Sequence, residues 1–275
     1  MKPGRFALLL QGQHHIINKQ IVKGGSALRI DKGLVTGLAK KYSHAWLFLI
    51  FAMLGQQFSL LEQFVVPRYW VYCWVDGYIP FLPGFVIPYM LWFAYVAVGL
   101  VVLCLHDRED FIRAFSLLGW GMFIALVIYF FFPHGQPLRP IITHDDIFSR
   151  LVRDVIYAND TNTNCCPSIH VLNQLAVHIG LCKSKLMRSR KWYPWFKWTS
   201  FTFTVLVCAS TVFLKQHSII DVLAALLLEI PLYLLIYKVD WKGLFARRKN
   251  AAVAIPQKTL AVRENEAVET ATAAK

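Results

Sequence analysis

The chain has 275 residues, of which 56 % are hydrophobic and 16 % charged, against about 45–50 % and about 25 % in ordinary soluble domains. A chain of this size has too few polar residues to cover so much apolar surface, which excludes a disordered or fibrous protein and nearly every soluble enzyme. The 29 basic and 16 acidic side chains leave a formal charge of +13, a surplus that membrane proteins concentrate in cytoplasmic loops, so no nucleic acid partner is implied.

In chain order, residues 1–43 form a basic segment whose Leu8, Leu9, Leu10, Ile16, Ile17 and Ile21 stand among Lys and His. It fits either an amphipathic stretch on the anionic inner leaflet or an ordinary solvated terminus. Six apolar runs follow, each near the roughly 20 residues that cross a bilayer: Ala45–Leu61, Gly84–Leu105, Phe115–Phe132, Ile169–Cys182, Thr199–Leu214 and Ile219–Tyr237. Gln56 and Gln57 interrupt the first, and Asn173, Gln174 and His178 lie in the short fourth, where polar groups are expected to face protein or a cavity. His178 is read as a packed core histidine. The tail mixes Ala, Val, Glu and Thr without a core-forming pattern and is expected to be disordered.

Lys and Arg fix the expected orientation. The N-terminal 43 residues hold eight, the loop His106–Ala114 two, the loop Lys183–Lys197 six and the tail from Lys238 eight, whereas the opposite side keeps Arg68, Arg139, Arg150, Arg153 and Lys215. The bias places both termini in the cytoplasm. The expected fold is therefore an all-α, polytopic six-transmembrane-helix bundle: a cytoplasmic segment 1–43, a membrane domain 44–238 with a motif-bearing core 115–237, and a tail 239–275. No internal repeat is visible, and the sequence assigns no oligomeric state. Cys104, Cys182 and Cys208 read as packing residues, while Cys73, Cys165 and Cys166 fall on the outer side, where a bridge from Cys73 to one of the vicinal pair is conceivable.

Three outward segments hold polar residues that a plain bundle does not need: Phe132-Pro-His-Gly-Gln-Pro-Leu-Arg139-Pro140, Cys166-Pro-Ser168-Ile-His170, and Ser210 through Lys215 and His217 to Asp221. All three sit at the same end of their spans, so folding brings them together. His217 and Asp221 are four apart, a spacing that on a helix shares one face. A carboxylate accepting Nδ1–H fixes the imidazole tautomer and leaves Nε2 free as a nucleophile or base; the alternative is a pair that solvates a helix start. Pro167 and Ser168 read as a helix start whose free N–H groups attract anions, with Ser168 and His170 adding polar groups, or simply as a cap followed by an interfacial histidine. Zinc at Cys165, Cys166 and His170 is a further alternative that adjacent cysteines fit poorly. Arg139 and Lys215 suit phosphate binding or headgroup anchoring.

Together these segments resemble the type-2 phosphatidic acid phosphatase superfamily, whose pattern is Lys-x6-Arg-Pro, Pro-Ser-Gly-His and Ser-Arg-x5-His-x3-Asp. Arg139-Pro140, Pro167-Ser168-Ile169-His170, and Ser210, His217 and Asp221 match it. Phe132 and Thr211 replace two family cations and Ile169 the glycine, a relaxation that is similar to the inositol phosphorylceramide and sphingomyelin synthase branch. The resemblance implies that His217, oriented by Asp221, attacks phosphorus to form a phosphohistidine, that His170 protonates the leaving oxygen, and that Arg139, Ser168 and Lys215 hold the phosphate. It implies no metal and no cofactor. The expected protein is a lipid phosphatase of the cell membrane with its site facing outside and a lipid phosphate as substrate. The alternatives are a lipid phosphotransferase, or a non-catalytic headgroup-binding transporter or pseudoenzyme. A transporter would show charges near the membrane midplane or repeated broken helices, and the apolar runs are read as showing neither.

Overall fold

Apolar runs of twenty-odd residues become helices because a backbone buried in hydrocarbon must satisfy its hydrogen bonds within the segment. The computed structural model describes residues 32–241 and 243, so the expected N-terminal surface segment and most of the tail lie outside the described residues. The chain divides after Ser43. In the first unit the described residues form helix α1 (Lys32–Lys41). The second unit carries α2 (Leu47–Phe64), α3 (Val86–His106), α4 (Arg108–Phe131), a short α5 (Ile147–Arg150), α6 (Ile169–Lys183), a single-turn α7 (Lys185–Arg188), α8 (Tyr193–Phe213) and α9 (Ile219–Tyr233).

Five stretches are long and apolar enough to cross a membrane: Ser43–Phe64, Pro83–His106, Arg108–Phe131, Tyr193–Phe213 and Ile219–Lys238. The chain is an integral membrane protein. The fourth expected span behaves differently. α6 has 15 residues, about 22 Å of helix against roughly 30 Å of bilayer hydrocarbon. Pro167 and the Ser168 cap stop it at one end, and Ser184, which caps α7 through Met187 N–H, stops it at the other. It is the central helix, packed against α3, α4, α8 and α9, with Val171, Leu172, Ala176 and Val177 wholly buried.

Close approach to α6 depends on missing side chains. A Cβ at Gly180 would lie 2.5 Å from Ala114 Cβ, and one at Gly99 2.4 Å from Val177 Cγ1. Small residues at such crossings let membrane helices pack by van der Waals contact. The polar residues of α6 face protein, as their cost in a span requires. Gln174 Nε2 donates to Thr204 Oγ1 at 3.0 Å, and His178 Nδ1 hydrogen-bonds Ser200 Oγ at 2.6 Å. His178 is thus a packed core histidine.

One expectation fails inside a span. Glu229 lies two turns beyond Asp221 in α9, 4 % exposed, so an ionisable side chain is present inside a span after all. The strongly apolar neighbours around it, Leu226, Leu227, Leu228 and Ile230, hide a single carboxyl from any average over the run.

At one end of the bundle the loops knit together. A two-residue strand β1 (Tyr69–Trp70) pairs in parallel with β2 (His134–Gly135), Tyr69 opposite His134, a small departure from the all-α expectation. Gly135 also bridges to Thr163. The three polar segments therefore do converge, and each is tied to another by at least one hydrogen bond described below.

Candidate active site

α8 ends in a sharp reversal. Lys215 adopts φ 53°, Gln216 N–H donates to Thr211 O at 2.9 Å and Lys215 N–H to Val212 O at 3.0 Å, the bonding of a Schellman cap. A left-handed conformation costs a non-glycine residue roughly 1 kcal/mol. The Lys215 ammonium stabilises it by donating to the Asp76 carbonyl at 2.7 Å. The reversal points His217 back over the bundle.

α9 then begins at Ile219 with Ser218 as its cap, so His217 precedes the helix and the four-residue spacing is not a shared helix face. The Asp221 carboxylate reaches back instead. Its Oδ2 accepts from Ser218 N–H at 3.0 Å and from His217 Nδ1–H at 3.1 Å. Asp221 is wholly buried and His217 6 % exposed. With Nδ1 donating to the carboxylate, Nε2 of His217 is the acceptor nitrogen, and His170 Nδ1–H donates to it at 3.2 Å. Asp221, His217 and His170 thus form one polar line. The His170 ring packs between Tyr89 and Trp92, with ring centroids 4.8 and 4.5 Å away.

This line opens into a cavity of about 510 Å³ whose walls include Phe58, Glu62, Trp92, Asp160, Asn164 and His217. That size falls in the range of small-molecule sites, and a mostly apolar lining with a few convergent polar groups is the pattern such sites show.

The sequence-derived phosphate ligands divide. Arg139 Nη2 donates to Asp160 O at 2.7 Å, to Thr161 O at 2.6 Å and to Gln216 Oε1, while the guanidinium lies 4.4 Å over the Tyr157 ring. It braces the loop and reaches the cavity through Gln216. Ser168 Oγ caps α6 by accepting from Val171 N–H at 3.4 Å, and Ser168 N–H donates to Asp221 O at 3.1 Å, so the cap reading describes its present contacts. Lys215 faces Asp76 rather than the cavity lining, and burial holds its ammonium below the ordinary lysine value. Phe132, where the family has lysine, stacks on Tyr69 at 4.1 Å, and Thr211 Oγ1 donates to Cys208 O. Neither position supplies a cation.

Four residues here escaped sequence reasoning. Asn164 and Gln216 line the cavity, and both Asn164 amide atoms and Gln216 Nε2 are buried without a hydrogen-bond partner among the described residues. Arg139, donating to Gln216 Oε1, fixes that amide so that its NH₂ is the free end. Asp76, 1 % exposed, accepts from Ser218 Oγ at 2.6 Å and Ile219 N–H at 2.9 Å, anchoring the start of α9 from a distant loop. His134 accepts Cys166 N–H on Nε2 at 2.7 Å and therefore donates Nδ1–H to Phe132 O at 2.7 Å. Asp76 left no local signal. An Asn at positive φ, as at Asn164 (φ 55°), is a turn feature visible only once the backbone is known.

His134 yields a pH prediction. Burial holds its imidazole below the ordinary histidine value, so the folded state binds this proton less readily than the unfolded chain. Its stabilisation is complete above about pH 6.5 and is lost as pH falls below that toward the folded value. The thermal midpoint in detergent should drop by several degrees between pH 7.5 and 5.5, and His134→Gln should flatten that slope. An unchanged slope in the variant would assign the acid sensitivity to another group.

The conceivable bridge between Cys73 and one of the vicinal pair does not form. All six cysteines are free, Cys165 buried against the cavity and Cys73 engaged in the turn that Asp76 caps. Nor do Cys165, Cys166 and His170 gather as a donor set. Among the described residues the group that does is Cys165, His217 and Asp221, with one ligand atom each within 4.8 Å. It suits a metal poorly, because both His217 nitrogens are already engaged, Nδ1 with Asp221 Oδ2 and Nε2 with His170. Burial also pushes the Cys165 thiol well above its ordinary value and Cys166 to about 12, opposing the thiolate that zinc requires.

No curated protein and no solved structure matches the chain. Residues 138–244, which contain Arg139, Ser168, His170, His217 and Asp221, match the family model of the PAP2 superfamily.

Proposed function

We propose that the protein is a lipid phosphatase that hydrolyses a lipid phosphate monoester or pyrophosphate through a phosphohistidine, without a metal, at the outer face of the cell membrane. The observation that carries this reading is the line Asp221–His217–His170 at the wall of a cavity of about 510 Å³. His217 Nε2 attacks phosphorus as the bond to the leaving oxygen breaks, and Asp221 stabilises the imidazolium that forms. Burial and the neighbouring His217 hold the His170 imidazole well below the ordinary histidine value, so it takes up a proton only with the anionic substrate bound and gives that proton to the leaving oxygen. It then takes one from water, whose oxygen displaces His217 and releases phosphate. Asn164 Nδ2 and Gln216 Nε2 supply neutral donors to the developing charge where Phe132 and Thr211 leave no cation. Arg139 reinforces them through Gln216.

The superfamily match supports phosphatase or related phosphotransferase chemistry. One observation favours phosphotransfer as a second reading: the cavity presents the carboxyls of Glu62 and Asp160, which repel a dianionic monoester more than a monoanionic diester. In that case a lipid or polyol hydroxyl replaces water in the second step.

The experiment is phosphate release from a panel of lipid phosphates by the purified full chain in detergent with EDTA, beside His217→Ala. Release that persists in EDTA and vanishes in the variant is the expected result. Headgroup exchange onto an added lipid alcohol without phosphate release would establish the second reading. Neither activity, in wild type and variant alike, would leave a headgroup-binding protein without chemistry.

A further inference from the structure

Glu229 takes no part in the chemistry above. It is 4 % exposed, and neither carboxyl oxygen meets a hydrogen-bond partner among the described residues. Burying a polar group without a partner is costly, and burying an unpaired charge costs far more, so the neutral acid is the form that fits this position. Ionisable residues inside membrane helices mark functional positions by default.

The surroundings indicate what the carboxyl awaits. Glu229 lines a second cavity, of about 600 Å³, formed where α6 and α9 run side by side and sharing no lining residue with the active-site cavity. Half of its lining residues are leucine or isoleucine. On its rim, Leu226, Ile230 and Leu234 are 39 %, 56 % and 49 % exposed, on a face of a membrane-crossing segment, so an occupant enters from the lipid. Of the other polar groups in the wall, His178 Nδ1 bonds Ser200 Oγ, and the Lys183 ammonium lies 5.5 Å over the Tyr233 ring. The buried acceptor without a donor is Glu229, nearly three turns into α9.

We propose that this groove binds a lipid alcohol, a diacylglycerol-like molecule whose chains lie on the apolar walls and whose free hydroxyl donates to the Glu229 carboxyl. An anionic headgroup would be drawn to the Lys183 ammonium on the same wall and would bring the Glu229 carboxyl no donor, whereas a hydroxyl supplies one. The proposal stands apart from the chemistry assigned to His217, although a lipid alcohol is also the class of molecule that phosphate release would leave behind.

Dicyclohexylcarbodiimide tests it. This apolar reagent enters from the lipid phase and reacts with neutral carboxyls. The acid proton goes to a carbodiimide nitrogen, a carboxyl oxygen bonds the central carbon, and an oxygen-to-nitrogen acyl shift leaves a stable N-acylurea with every atom retained. Purified full-length protein in detergent is treated with the reagent, and the peptide containing Glu229 is followed by mass spectrometry, alone, with dioctanoylglycerol, and with its acetyl ester, which has no hydroxyl. Modification at Glu229 should be slowed more by dioctanoylglycerol than by the ester, by roughly fivefold, the worth of one hydrogen bond. Glu229→Gln should lose the adduct at an unchanged unfolding temperature. Absence of any adduct at Glu229, equal protection by both lipids, or protection by neither would overturn the proposal.

Discussion

A His170→Ala variant given a lipid phosphate with a highly acidic leaving alcohol should accumulate covalent phosphate on His217, and the label should survive alkali and be lost in acid, as phosphohistidine is. The expectation follows from the two tasks assigned to His170. A good leaving group departs without a proton, so the first step stays fast in the variant. Water still needs a base, so the second step slows by about 10²–10⁴-fold. Wild type turns over too quickly to hold much label. His217→Ala should show none. With an ordinary lipid alcohol as leaving group, the same His170 variant should lose the first step as well, and no label should build up. The contrast between the two substrates separates a proton-transfer role from a packing role, since a histidine that merely filled space between Tyr89 and Trp92 would depress both alike. Label on His217→Ala would place the nucleophile elsewhere and end the proposed mechanism.

Asp221→Asn belongs with this test. The amide can still accept from Ser218 N–H, as Asp221 Oδ2 does at 3.0 Å, so α9 keeps its start. It lacks the charge that stabilises the imidazolium, and labelling should slow without vanishing.

How far the sequence carried this site depends on the range of the forces that built it. The spans were legible because hydrocarbon imposes length and apolarity on each one separately, and five of the six runs meet that demand. α6 deviated because its ends are set by Pro167, Ser168 and Ser184, local signals that override the apolar count. His217 and Asp221 were legible as a pair, but for a different geometric reason: a carboxylate reaching back across a helix cap, not two side chains on one helical face. Arg139 was found as a cation near the site, whereas its bonds to Gln216 and the 160–161 carbonyls depend on a chain reversal at Lys215 and a loop from residue 133 to 168. Asn164, Gln216 and Asp76 carry no motif. Gln216 and Asp76 act on Arg139 and on Ser218 and Ile219, tens of residues away, Asn164 matters through the cavity that it lines, and Glu229 was submerged in the hydropathy of its neighbours.

Asp76→Asn should cost roughly 2–4 kcal/mol, the sum of weakened bonds to buried donors, and lower the thermal midpoint by roughly 5–15 °C. Its Oδ2 accepts from Cys73 N–H at 2.8 Å and Ser218 Oγ at 2.6 Å, and its Oδ1 accepts from Ile219 N–H at 2.9 Å. Asn offers one oxygen and, in place of the other, an NH₂ that faces donors. Activity should fall with stability, because Ser218 and Ile219 are the residues that set Asp221 behind His217. The pH dependence provides an independent check. Burial alone would raise the Asp76 carboxyl, but donors from Ser218, Cys73 and Ile219 outweigh it and hold it below the ordinary value of 3.8. The folded state thus binds this proton less readily than the unfolded chain. The stabilisation is complete above about pH 4 and disappears as pH falls through the folded value. Unfolding temperatures followed from pH 7 to 3 should therefore converge for wild type and Asp76→Asn at the acid end and separate above it. A variant that melts within 2 °C of wild type at pH 7, a shift below roughly 1 kcal/mol, would mean that α9 is positioned by its packing against α6 and α4 alone, and that the bonds from Asp76 merely follow.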